Sequence, residues 1–209
     1  TGDYNKDDIL VAKWNGTRPD DNTLKLEFEH LLSRFDVHLI FRSEYTEVSN
    51  ISIETNLRNQ AVCDFLAGTV SSPSGEGIMM QKSPTPDESY DWSGTCITVP
   101  HEFYGDLLTL NFTTPDGDKT ITYEHPNDLI FKSGERTTLY LYVGKDVVVL
   151  GGVKVTPCVE FGEVGKGVIF RLQTYGEERT VHGDLELLAR HVIFQPQAGQ
   201  GAVLGEILV

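Results

Sequence analysis

Leu107-Leu-Thr-Leu-Asn-Phe112, Pro115-Asp-Gly-Asp118 and Lys119-Thr-Ile-Thr-Tyr123 follow one another closely along the chain. The first and last segments alternate apolar and polar positions, the period of strands with one face in a core. The Asp-Gly pair between them signals a hairpin, because glycine tolerates the positive φ that tight hairpin turns need. Asp116-Gly-Asp118 also resembles the start of a calcium loop. Such a loop needs further acidic ligands and a closing glutamate, and Tyr123 and Glu124 are in the wrong register for that. The reading is therefore a β-hairpin.

The same pattern extends outward from this hairpin. Toward the C-terminus, Thr137-Thr-Leu-Tyr-Leu-Tyr-Val143, Val147 to Leu150 and Val153 to Thr156 read as strands. Gly144-Lys-Asp146 and Gly151-Gly152 read as the turns between them. Toward the N-terminus, Cys96 to Val99 reads as a strand stopped by Pro100, and Ile78 to Gln81 as a weak one. Lys82 to Ser93 reads as a long surface loop, and Ser71 to Gly77 as a Ser/Pro/Gly-rich loop. Ala61 to Ala67 is a further apolar run that ends at Gly68, and Val48 to Glu54 alternates.

Phe35-Asp-Val-His-Leu-Ile-Phe41 puts Phe35, Val37, Leu39 and Phe41 on one face and turns His38 outward. Thr23 to Glu29 alternates Leu24, Leu26 and Phe28 with Lys25, Glu27 and Glu29. Leu26, Phe28, Val37 and Leu39 are accordingly expected as core on adjacent strands. Asp8 to Trp14 is a short run, followed by turn formers from Asn15 to Asn22. Beyond Pro157, Gly-rich spacers separate Val168 to Leu172, His191 to Phe194 and an apolar C-terminus. Asp184 to His191 suits a short helix or a strand equally.

Short strands at this spacing, without long helices, predict an all-β protein built as an antiparallel sandwich. The expected organisation is an N-terminal strand and linker over 1–22, a β-sandwich over 23–158 and a C-terminal β extension over 159–209. No apolar run approaches the roughly 20 residues that span a bilayer.

The chain has 209 residues and a formal net charge of -14. That charge repels phosphate backbones and anionic lipid, so nucleic acid and membrane surfaces are not expected partners. Its six histidines, His30, His38, His101, His125, His182 and His191, show no ligand spacing on one strand. The three cysteines, Cys63, Cys96 and Cys158, form no CxxC motif. Cys63, within an apolar run, reads as a small buried hydrophobe, and a Cys63 to Cys96 bridge stays open. Paired acids at Asp7-Asp8, Asp20-Asp21 and Glu177-Glu178 read as solvated loops, since catalytic carboxylates must converge in space. There is no nucleophile elbow, phosphate loop or metalloprotease motif. No enzyme, metal or cofactor is expected. Tyr90, Trp92 and Tyr104 lie in or beside loops, where aromatics either stack on sugars and partners or pack beneath the loop.

Several segments, read in order, resemble the fimbrillin family, the pilin type of Bacteroidales. Asp8-Ile-Leu-Val-Ala12 resembles the segment that leaves the family's first domain. Leu24 to Leu39, with Phe28-Glu-His-Leu-Leu-Ser33, resembles its strand, Phe-x-His-x-Leu-Ser and second strand. Asn59 to Gly68, Ile97-Thr-Val-Pro100 and Phe131-Lys-Ser-Gly to Val143 resemble its later elements. The resemblance covers about residues 8–157. It implies a transthyretin-like sandwich, to which the C-terminal strands read over 159–209 are extra, and export as a lipoprotein to the cell surface, outer membrane or fimbrium. It also implies a structural or adhesive role in a pilus shaft, anchor or tip. Other fimbrial subunits, or copies of this chain, would be the partners through strand complementation. The alternative is a surface module for a host glycan or protein, with Tyr90, Trp92 and Tyr104 as contacts.

The C-terminus, Gly201-Ala-Val-Leu-Gly-Glu-Ile-Leu-Val209, is nearly uncharged. Termini are normally polar, and an exposed apolar strand invites aggregation. Ala202, Val203, Leu204, Ile207, Leu208 and Val209 are thus expected to form a covered strand. Burial in cis is the favoured arrangement, with donation to a neighbour's sheet in trans as the other.

Overall fold

The computed structural model describes residues 8–14, 23–26, 28–84, 87–145, 147–158, 168–171 and 187–188. The described elements are strands. They are β1 (Leu10–Val11), β2 (Lys13–Trp14), β3 (Thr23–Leu26), β4 (Glu29–His30), β5 (Ser33–Phe41), β6 (Ser49–Thr55), β7 (Gln60–Asp64), β8 (Thr69–Ser74) and β9 (Ile78–Met79). There follow β10 (Gln81–Lys82), β11 (Trp92–Thr98), β12 (His101–Thr114), β13 (Gly117–Phe131), β14 (Glu135–Gly144), β15 (Val147–Pro157), β16 (Val168–Arg171) and β17 (Leu187–Leu188).

Two sheets make the sandwich. One runs β10-β11-β5-β14-β15 and the other β13-β12-β6-β9. Alternation in β5 points Phe35, Val37 and Leu39 inward, all fully buried. They join Leu139, Leu141 and Val143 of β14, Ile53 of β6, and Leu108, Leu110 and Phe112 of β12 in one core. Phe35 meets Phe131 edge-on at 5.6 Å. Burial of these side chains from both sheets is the main force joining the layers.

Pairing in the two sheets is antiparallel except between β5 and β14, which run parallel from Arg34↔Arg136 to Phe41↔Val143. Parallel neighbours need a long crossover, usually helical. Here the intervening chain builds the second sheet and adds β10 and β11 to the first. The segment from Ile78 to Lys82 also ties the layers, because β9 pairs with β6 and β10 with β11.

The β12–β13 hairpin is formed as expected, with Pro115 and Asp116 at the reversal and Gly117 at φ +114°. Its strands run further than the alternation showed. Register shifts between Phe103 and Gly105 accommodate residues 126–128 of β13, including Pro126, which cannot donate to a regular ladder.

Several expectations are corrected. Gly151-Gly152 is a bulge inside β15 rather than a turn: Tyr140 pairs with Gly152 and Leu141 with Leu150. Ser71 to Ser74 belongs to β8, where a bulge holds Ser72 at φ +53° beside Pro73. Phe65 and Leu66 lie in the β7–β8 turn, and Leu66 is exposed. Cys63 is only half-buried, and all three cysteines are free, so no Cys63 to Cys96 bridge exists. Cys96 is the buried one, in the core. Phe28 is half-buried, and β3 pairs with β16 rather than with β5. Leu187–Leu188 pairs as a strand with β2. The segment 202–209 lies outside the described residues.

Candidate functional site

The outer face of the five-stranded sheet carries the polar half of β5 and β14. Register brings Arg34 beside Arg136, Asp36 beside Thr138, His38 beside Tyr140 and Ile40 beside Tyr142. Ser93 of β11 flanks His38 on the other side. This face has two regions of different character.

The first is ionic. Asp36 is almost fully buried, accepting from Arg34 Nε at 2.9 Å and from Arg136 Nε. A buried carboxylate held by two guanidinium groups meets the rule that buried charge must be paired.

The second is aromatic. His38 stacks on Tyr140 at 5.3 Å with 14° between planes, and Tyr90 leans over it at 4.5 Å. Tyr90 and Tyr140 are 5.8 Å apart. His38 Nδ1 shares a hydrogen bond of 2.8 Å with Ser93 Oγ. Partial burial holds the imidazole below its ordinary pKa, partly opposed by the carboxylate of Asp36. Burial also raises the Tyr90 phenol, with Tyr140 and Asp87 adding to the shift. At neutral pH both groups are therefore uncharged hydrogen-bonding partners.

The loop that carries Tyr90 is fixed at several points. Ser83 N–H donates to Ser93 O at 2.8 Å, and Asp91 N–H donates to Leu39 O at 2.9 Å. Asp91 Oδ2 accepts from Phe41 N–H at 2.7 Å. Asp87 Oδ1 accepts from Ser89 N–H at 2.9 Å, and this bonding lowers the Asp87 pKa. The loop therefore holds Ser89 and Tyr90 along one wall of a groove of about 400 Å³, with His38, Ile40, Tyr140, Leu141, Tyr142 and Gly151 lining the rest.

Of the three aromatic contacts expected from the sequence, Tyr90 alone belongs to this groove. Trp92 points into the core and is 3% exposed, its ring lying over Gly94. Its place in β11, opposite Leu39, sends it inward, so it is not a surface contact. Tyr104 is 78% exposed, but it stands at the β12 bulge in the other sheet. His38, Tyr140 and Tyr142 were not singled out as contacts. The signal was present: in Thr137 to Val143 the two tyrosines alternate with Leu139 and Leu141, and so share the outward face with His38. Among the described residues, no group of three His, Cys, Asp or Glu side chains is placed to hold a metal.

A family model described as fimbrillin-like matches residues 1–157. The chain belongs to the fimbrillin-like family. No curated protein matches it. Among solved structures, this fimbrillin-like chain is similar to a candidate cell adhesion protein from Bacteroides uniformis, with a TM-score of 0.49 and 14% identity over 71% of this chain and 74% of that one. A second such protein, from Bacteroides ovatus, gives 0.45 and 11% over 66% and 49%. The tip fimbrial protein Mfa3 from Porphyromonas gingivalis, truncated at its C-terminus, gives 0.38 and 8% over 62% and 52%. The chain spans about half the length of the latter two.

Proposed function

We propose that this protein is a non-catalytic structural or adhesive subunit of a cell-surface fimbria, exported as a lipoprotein and associating with other fimbrial subunits or with itself. Membership of the fimbrillin-like family over residues 1–157 carries this reading. The shape of the sandwich supports it. β15 is an eleven-residue strand at the edge of its sheet among the described residues, and Val147, Val149, Val153 and Val155 are exposed along it. A long apolar edge aggregates unless something covers it, and an added partner strand is one such cover.

Sedimentation of the full chain across a concentration series tests the reading, alongside a chain lacking Ala202 to Val209. Strand donation in trans gives oligomers that the deletion abolishes while the monomer stays stable. Burial in cis gives a deletion with lower stability. A deletion that changes neither stability nor assembly removes the C-terminal strand from the account. A full chain that stays monomeric, alone and with co-expressed fimbrial subunits, contradicts the subunit reading.

A further inference from the structure

The aromatic groove is built in a way that the sandwich itself does not require. Tyr142 is 41% exposed, yet its ring lies over the sheet at Gly151. A Cβ at Gly151 would sit 2.7 Å from Tyr142 Cε2 and 3.2 Å from the Tyr140 carbonyl oxygen. A Cβ at Gly152 would come within 3.9 Å of Tyr140 Cδ2. Neither glycine has a positive φ, so the backbone does not demand glycine here. Space does. The Gly-Gly bulge lets the tyrosine rings settle on β15 and leaves the Tyr142 ring open on the side away from the sheet.

The chemistry of the groove narrows its occupant. The hydroxyls of Ser89, Tyr90, Tyr140 and Tyr142 can each donate and accept, and His38 is uncharged at neutral pH. Among the described residues no Lys, Arg, Asp or Glu lines the groove, and the Asp87 carboxylate acts on His38 and Tyr90 from outside its lining. Arg34 and Arg136, on the same face, are ion-paired with Asp36. A net charge of -14 repels anionic ligands. The volume of about 400 Å³ falls in the small-ligand range. A neutral molecule with an apolar ring face and many hydroxyls satisfies all these conditions together.

We propose that this groove binds a neutral saccharide, with a pyranose face stacked on Tyr142 and its hydroxyls bonded to the tyrosine, serine and histidine groups around it. The site specifies the adhesive side of the reading above, and it does not depend on assembly.

The test starts with a printed array of neutral and sialylated oligosaccharides probed with the full chain. The strongest neutral saccharide is then titrated against the protein while ring signals are followed by NMR. Binding to neutral saccharides is expected, with shifts at His38, Tyr140 and Tyr142. Tyr142→Ala and Tyr90→Ala should each weaken binding by about tenfold, the scale of one lost aromatic contact. Gly151→Ala, which displaces the Tyr142 ring, should weaken it as well, and Tyr104→Ala should leave it unchanged. The ring shifts locate the site on the unaltered protein even if a variant folds poorly. Binding to no neutral saccharide, binding confined to sialylated ones, or shifts away from these rings would overturn the proposal. A chain that assembles but binds no saccharide defeats this proposal alone, and a strictly monomeric chain that binds one defeats only the subunit reading.

Discussion

Gly94→Ala and Gly151→Ala introduce the same methyl group beneath an aromatic ring, with consequences that differ by where the ring sits. At Gly94 the new Cβ would lie 2.1 Å from Trp92 Cη2 and under 3 Å from two more ring carbons. Trp92 is buried in the core between the sheets, so its ring has nowhere to swing. Overpacking of a well-packed core costs about 1–3 kcal/mol. The overlap involves the body of a rigid ring, so the upper part of that range is expected. At Gly151 the severe overlap is with Tyr142 Cε2, on a ring 41% exposed that can lift into solvent, and the Tyr140 carbonyl oxygen at 3.2 Å needs to give by only a few tenths of an ångström. The cost there should stay under about 1 kcal/mol, as for surface changes generally. Neither site has a positive φ, so alanine adds no backbone strain at either. Urea denaturation followed by far-UV circular dichroism measures both variants against the parent. A Gly94→Ala protein as stable as the parent, or a Gly151→Ala protein that loses as much, would refute the placement of these two rings.

Other perturbations follow from the same packing. Leu39→Ala should cost about 2–5 kcal/mol in the same assay, because the side chain is fully buried. Asp36→Ala leaves two guanidinium groups without their shared carboxylate. Both are partly exposed, so a loss of about 1–3 kcal/mol is expected. His38, His101 and His125 are all held below the ordinary value of 6.5 by burial. The unfolded chain then binds their protons first, so this contribution is full above pH 6.5 and is lost as pH falls below it. Urea midpoints from pH 7.5 to 5 should fall, and a His101→Gln, His125→Gln protein should show a shallower fall. Burial raises the Cys96 thiol furthest, so a thiol reagent should label the native protein at Cys63 and Cys158 before Cys96.

The sandwich was legible in the sequence because one sheet face meets the core and the other meets polar groups, which writes a period of two directly into the chain. Phe35 to Phe41 and Thr137 to Val143 show it most cleanly, and the inward Phe35, Val37 and Leu39 read from the first of them are buried. The parallel pairing of β5 with β14 left no local mark, since pairing between distant strands depends on what the chain between them builds. Gly151-Gly152 reads as a turn in sequence because two glycines punctuate a strand pattern. Only its register against β14, with Tyr140 opposite Gly152 and Leu141 opposite Leu150, reveals a bulge. The same limit applied to the groove. Tyr90 was visible as a loop aromatic, but the register that places His38, Tyr140 and Tyr142 beside it joins strands about 100 residues apart. Trp92 misled because the strand begins earlier than Cys96, and its inward phase follows only from its pairing with Leu39.

Immunogold electron microscopy tests the central claim most directly, using antibody raised against residues 33–157 on cells that produce the protein natively. The account predicts gold particles on filaments projecting from the cell surface, lost when the gene is deleted. Label confined to the cell interior, or spread over a surface without association to filaments, would contradict it.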